Sequence, residues 1–102
     1  MSKCCDPGSN SLVEIENSAQ IIKAVSDSNR LRALCVLSKE EICVCELAKK
    51  LDISRNLLSF HLRNLLEAGI LSKQKKGNKI YFNIKPEWKD KIDHLFTFIG
   101  IN

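Results

Sequence analysis

Two pairs of cysteines carry the chemistry this chain is equipped to do. Cys43 and Cys45 flank Val44 within Glu41-Ile42-Cys43-Val44-Cys45-Glu46-Leu47, and Cys4 and Cys5 are adjacent near the amino terminus. Thiolates are soft ligands: three suit trigonal arsenite or antimonite, and four suit Cd2+, Pb2+ or Zn2+. Cys43, Cys45, Cys4 and Cys5 can supply either set, and nothing in the pattern asks for an organic cofactor. In a regular helix, residues i and i+2 point about 200° apart and cannot grip one ion. An extended or pre-helical backbone brings both to one side. Metal binding is therefore expected to hold, or to unwind, the start of the helix that follows. The positive end of that helix also favours the thiolate form that metals need. A lone cysteine is more often a small core residue, and Cys35, on the apolar face of a predicted helix, reads that way.

Positioning such ligands falls to a small fold. A chain of 102 residues, 44% hydrophobic and 27% charged, allows one domain with a thin core, and association into a dimer would bury more surface. No apolar run approaches the roughly 20 residues that cross a bilayer. The first residues lack the apolar segment of a secretion signal. The expected compartment is the cytoplasm, with no membrane partner. There, five cysteines serve as free thiols, metal ligands or redox sensors rather than as a disulfide framework.

The order of elements follows from spacing and punctuation. Residues 1–11 are expected to form a flexible, cysteine-containing arm, and residues 12–102 one folded domain. Val13 to Val25 places Ile15, Ala19 and Ile22 on one helical face. Asp27-Ser28-Asn29 is a break and cap, and a second helix runs from about Arg30 to Leu37 with Leu31, Leu34 and Cys35 inward. A short helix from Cys45 to Leu51 buries Leu47, Ala48 and Leu51. Asp52-Ile53 makes a turn, Ser54 caps the next helix, and Ala68-Gly69 ends it. Ile70 to Lys76 and Lys79 to Ile84 are predicted strands joined at Gly77-Asn78. Pro86 opens a last helix whose Trp88, Ile92, Leu95 and Ile99 share a face. The pattern predicts a mainly α domain with a β-hairpin and about five helices: a winged helix-turn-helix.

The charge is uneven in a telling way. Cys45 to Lys79 holds eight basic and three acidic residues, while Met1 to Val44 holds five and six and the remainder three and three. The excess positive charge thus sits on the predicted helix-turn-helix and hairpin, as phosphate contact requires. On a helical wheel, Leu58, Leu62 and Leu65 lie together, with Leu57 and His61 toward the same side. Arg55, Asn56, Ser59, Phe60, Arg63 and Asn64 occupy the opposite half. Arg suits guanine or phosphate, Asn suits adenine, Ser is versatile, and Phe can touch a thymine methyl. Lys73, Lys75, Lys76 and Lys79 cluster about the hairpin tip, where they can lie along phosphates or enter a minor groove. Ile80, Phe82 and Ile84 alternate toward a core. His61 is expected to be a hydrogen-bonded core histidine. His94, beside Asp90 and Asp93, reads as solvated surface.

The segments Ser-Asn-Arg-Leu-Arg-Ala-Leu (28–34), Glu-Ile-Cys-Val-Cys-Glu-Leu (41–47) and Ser-Phe-His-Leu-Arg-Asn-Leu-Leu-Glu-Ala-Gly-Ile-Leu (59–71), with the lysine-rich hairpin, resemble the ArsR/SmtB family of metal-sensing repressors. The resemblance covers about residues 13 to 100. It implies a homodimer that binds double-stranded operator DNA when metal-free and leaves it on binding metal. It also implies dimerisation through the first and last helices, here through Ile15, Ile22, Trp88, Ile92, Leu95 and Ile99. Arsenite sensors with this motif often carry a third cysteine three residues after the second; that position is Ala48 here. The carboxylate-histidine pattern of the family's zinc sensors is not reproduced on the last helix. Further ligands are therefore expected from Cys4 and Cys5, as cadmium/lead sensors of the family take cysteines from an amino-terminal arm. The adjacent pair and short arm lean toward arsenite. Two other classes compete: a small thiol redox protein using Cys43 and Cys45, and a winged-helix binding module independent of metal.

Overall fold

A computed structural model describes residues 11–100 of the chain. Cys4, Cys5 and most of the arm expected over residues 1–11 lie outside the described residues. Seven elements follow in order: α1 (Ser11–Val25), α2 (Ser28–Leu37), α3 (Val44–Leu51), α4 (Arg55–Glu67), β1 (Leu71–Lys76), β2 (Lys79–Ile84) and α5 (Pro86–Ile99). This is the mainly α winged helix-turn-helix that the spacing predicts, with five helices and one antiparallel hairpin.

Local chemistry sets the boundaries. α2 begins at Ser28 rather than Arg30 because Asp27, in extended backbone, accepts from the amides of Asn29 at 2.8 Å and Arg30 at 3.3 Å. That satisfies donors no helical carbonyl can reach. α3 ends at Asp52, whose φ of 57° makes it the one non-glycine residue with positive φ among the described residues. Short polar side chains such as Asp tolerate that left-handed turn best after glycine. Ser54 then accepts from the amide of Leu57 at 3.1 Å and starts α4. At the far end Gly69 takes φ 84°, its amide reaching Leu66 and that of Ile70 reaching Leu65 at 3.1 Å. This double closure turns the chain directly into β1.

The core sits between α2, α3 and α4, closed by one end of the hairpin and by α5. Leu34, Leu47, Leu58, Leu62, Leu65, Ile70 and Leu71 are its fully buried side chains. Ile84 and Phe82 cover it from β2, and Ile92 and Phe96 from α5. The hairpin pairs Leu71 with Ile84 at its base and Lys76 with Lys79 at its tip. Three expectations need correction. Ile80 is exposed, because the hairpin projects beyond the core before that position is reached. Leu57 is also exposed, lying in the first turn of α4, just ahead of its buried residues Leu58, His61, Leu62 and Leu65. Ile92 is 2% exposed within the single chain, so it packs into the chain's own core instead of facing outward. Phe96, which the periodicity did not single out, shares that face.

Candidate metal centre and nucleic-acid interface

Cys43 is the N-cap of α3, with φ −77° and ψ 159°, and Cys45 is the second residue of the helix. The extended backbone at Cys43 undoes the helical divergence of residues two apart. Their sulfurs lie 3.8 Å from one another. Two sulfurs bound at about 2.3 Å and separated by a tetrahedral angle would stand about 3.8 Å apart. The pair therefore fits a thiolate-bound ion with α3 already formed, and no unwinding is needed to bring the sulfurs together. Cys43 is buried and Cys45 half-buried. Among the described residues no three His, Cys, Asp or Glu side chains gather as a metal site.

The Cys43 thiol is held below its ordinary pKa. The largest cause is the backbone amide of Glu46, which favours the thiolate; the Cys45 thiol and the Lys79 ammonium add to it. Burial and the Glu46 carboxylate act the other way. The amide lies three residues beyond the cap, where a capping side chain is normally addressed. Burial disfavours charge, yet the helix head and a nearby cation outweigh it.

The thiol segment is also tied to the hairpin. Cys43 forms an isolated antiparallel bridge with Tyr81 of β2. Glu41 pairs with Lys76 of β1, whose ammonium lies 5.2 Å from the Tyr81 ring centre. At the other end of α3, Arg32 of α2 donates to the carbonyl of Leu51 at 2.6 Å. A cation there satisfies an orphan carbonyl and opposes the negative end of the helix. Neither Arg32 nor Tyr81 stood out in the sequence, because both act through contacts distant along the chain.

On α4, Arg55, Asn56, Ser59, Phe60 and Arg63 are all exposed, on the half of the helix where the wheel puts them. They divide into two edges. Arg55, Ser59 and Arg63, at i, i+4 and i+8, face the hairpin across a cavity of about 310 Å³ that Cys45 also lines. Phe60 turns the other way, with the Arg30 guanidinium 5.9 Å from its ring centre. Asn64 donates to the Phe60 carbonyl at 3.0 Å, so its amide is engaged within the helix. Lys73, Lys75, Lys76 and Lys79 are exposed on the hairpin, but Lys76 is the one drawn aside by Glu41.

His61 is buried, and its Nδ1 accepts from Arg30 Nε at 3.0 Å while Nε2 stands 3.8 Å from Asp27. Arg30 also donates to the carbonyl of Ala24 at 3.2 Å. His61 thus joins α4 to the α1–α2 junction as a hydrogen-bonded core residue. His94 is exposed. Cys35 is half-buried against the core. Of the side chains expected at a dimer surface, Ile15, Ile22 and Ile99 are exposed, while Trp88 and Leu95 are half-buried. Phe98, not foreseen, is 88% exposed. No helix among the described residues is long and apolar enough to cross a membrane.

Comparison with known proteins places these features in a family. Residues 27–73 match the model of the bacterial regulatory protein, arsR family. An arsenical resistance operon repressor of Staphylococcus xylosus is 34% identical over 80 residues, spanning 78% of this chain and 77% of that one. An arsenic resistance transcriptional regulator of Pseudomonas putida is 37% identical over 76 residues, or 74% of this chain, but the chain spans 59% of its length. A cadmium resistance regulatory protein homolog is also among the relatives. The crystal structure of NolR from Sinorhizobium fredii superposes with a TM-score of 0.81 at 30% identity, covering 95% of this chain and 99% of that one. By that family match and the similarity to the Staphylococcus xylosus repressor along most of both chains, this chain belongs to the ArsR family of bacterial transcriptional regulators.

Proposed function

We propose that this chain is a metalloid-responsive repressor that binds operator DNA as a homodimer and leaves it when its thiolates take arsenite or antimonite. The observation that carries the proposal is the Cys43–Cys45 pair, its sulfurs 3.8 Å apart at the head of the first helix of the helix-turn-helix. A ligand there acts on α3, which packs directly against α4. Cys4 and Cys5 provide the remaining sulfur ligands, from the arm of the same or the partner subunit. Arg55, Asn56, Ser59, Phe60 and Arg63 address the bases of the major groove or its flanking phosphates, and Lys73, Lys75, Lys76 and Lys79 the phosphates or an adjacent minor groove. The dimer forms through α1 and α5, with Ile15, Ile22, Trp88, Leu95 and Ile99 at its surface. The protein works in the cytoplasm, where thiols stay reduced. Two relatives, both arsenic resistance regulators, support the choice of effector.

A second reading has its own support. Ala48 occupies the position where a third cysteine of α3 would complete a three-thiolate site, and a cadmium regulator homolog is a relative. All four thiols, Cys4, Cys5, Cys43 and Cys45, would then surround Cd2+, Pb2+ or Zn2+.

Fluorescence anisotropy of the reduced protein on the DNA upstream of its own gene, titrated with arsenite and with Cd2+, decides between them. Release by arsenite but not by Cd2+ is expected. Stronger release by Cd2+ favours the four-thiolate site. If neither releases the DNA, the metalloregulator reading is lost and the thiols revert to redox or structural roles.

A further inference from the structure

The cavity between the head of α3, α4 and the hairpin carries an unbalanced charge. Arg55, Arg63, Lys73 and Lys79 all line it, together with Ser59 and Cys45, and no carboxylate does. None of these four cations forms an ion pair among the described residues, whereas Lys49, Lys50 and Lys76 pair with Glu46, Glu40 and Glu41. Four cations left unneutralised around one concavity raise the local potential and attract an anion. A volume of about 310 Å³ admits a phosphate group with several waters, since one water occupies about 30 Å³. Arg presents a planar fork that matches phosphate oxygens, and Lys a point charge.

The geometry points to a phosphate clamp for the DNA backbone in this cavity, shared with the effector because Cys45 forms part of its wall. The inference rests on the DNA-binding reading above and goes further. Release would arise where the two ligands meet, through exclusion of the phosphate by the group bound to sulfur, and not solely through displacement of α4. Cys43 and Cys45 stand close enough for one centre to bridge them. Such a centre at Cys45 occupies the wall that a phosphate must approach.

Phenylarsine oxide tests this without the amino-terminal cysteines. Its trivalent arsenic exchanges the oxygen for two sulfurs: two As–S bonds form, and the two thiol protons leave with the oxygen as water. No electrons are transferred and the adduct is neutral, so release does not come from added charge. Anisotropy would be measured on the wild type with Cys4 and Cys5 replaced by serine, and on Arg63→Ala, Lys73→Ala and Lys75→Ala in that background. Each measurement is made across a salt series, with and without saturating arsenical. Lys75 is a hairpin lysine outside the cavity wall.

All three substitutions should lower the slope of log affinity against log salt by about one, as loss of one phosphate contact does. The fold-release by the arsenical separates them. For Arg63→Ala and Lys73→Ala it should fall at least about threefold, since less phosphate binding remains to be opposed; allosteric factors of about 5 to 150 leave room to see this. For Lys75→Ala it should stay at the value of its parent. An unchanged fold-release in both cavity variants overturns the shared clamp while leaving the repressor reading intact. Inorganic phosphate should displace DNA from the parent beyond chloride at equal ionic strength, and less so from Arg63→Ala and Lys73→Ala; equal displacement from all variants would put the anion site elsewhere and overturn the clamp. If the parent binds no DNA at all, the proposed function fails and takes the clamp with it.

Discussion

Replacing Cys43 by serine separates two roles that one thiol holds at once. A serine hydroxyl at an N-cap accepts from the helix amides far better than an alanine methyl, by about 1 kcal/mol. Cys43→Ser should therefore melt above Cys43→Ala, yet both should lose arsenite-driven release while still binding DNA. Thermal melts and anisotropy together read this, and a serine variant released at wild-type arsenite concentrations would remove Cys43 from the ligand set. The lowered pKa of Cys43 gives a second expectation for the metal-free protein. A group whose pKa drops on folding stabilises the fold fully above its unfolded pKa, and loses that contribution as pH falls through the folded value. The urea midpoint of the wild type should thus gain on that of Cys43→Ser as pH rises toward the ordinary thiol range, and the gap should close as pH falls on the acid side of it. Much at this scale was legible in the sequence. The i, i+2 spacing demanded extended backbone at Cys43, and the wheel turned His61 inward. Its partners were not legible: Arg30 lies 31 residues earlier, and no local pattern announces such a contact.

At the scale of elements, caps decided more than periodicity. Apolar spacing located all five helices, but α1, α2 and α3 each begin one or two residues before the start it predicts, because a helix's first turn need not present an apolar side chain. Ser54→Ala removes the acceptor for the Leu57 amide and should cost about 1 kcal/mol. In a domain of this size that lowers the melting temperature by about 4–8 °C, and a calorimetric scan would show it. A smaller change would mean that the turn at Asp52 already sets the start of α4. The strands show the opposite limit. Alternation along Ile80, Phe82 and Ile84 correctly gave one face, but not where along the hairpin the core stops. That depends on how far α3 and α4 reach, which a strand's own residues do not encode.

Taken as a molecule, the chain is more drawn out than its length requires. Its radius of gyration is 15.2 Å, against about 13 Å for a compact domain of about 100 residues. Ile15 and Ile22 on α1, with Phe98 and Ile99 on α5, leave apolar surface facing solvent. Ile22→Glu should give a folded monomer by sedimentation, with DNA affinity down about 100-fold as the second half-site is lost. An unchanged dimer would place the interface elsewhere. Ile92→Ala should behave differently: it opens a cavity in the single chain's core and costs about 2–5 kcal/mol, with the dimer retained. The family resemblance put Ile22 and Ile92 in one class, and spacing alone does not say which of two neighbours a stripe will meet. The pinning of α3 has a mechanical consequence. Eight residues make a rod of about 12 Å, far shorter than the 60–100 Å radius over which helices curve. Its head is hooked to Tyr81 and its tail to Arg32. A strut so short cannot flex to absorb a tug on its sulfur end, so strain that arrives at Cys43 is delivered to the turn at Asp52, two residues ahead of the Ser54 cap of α4.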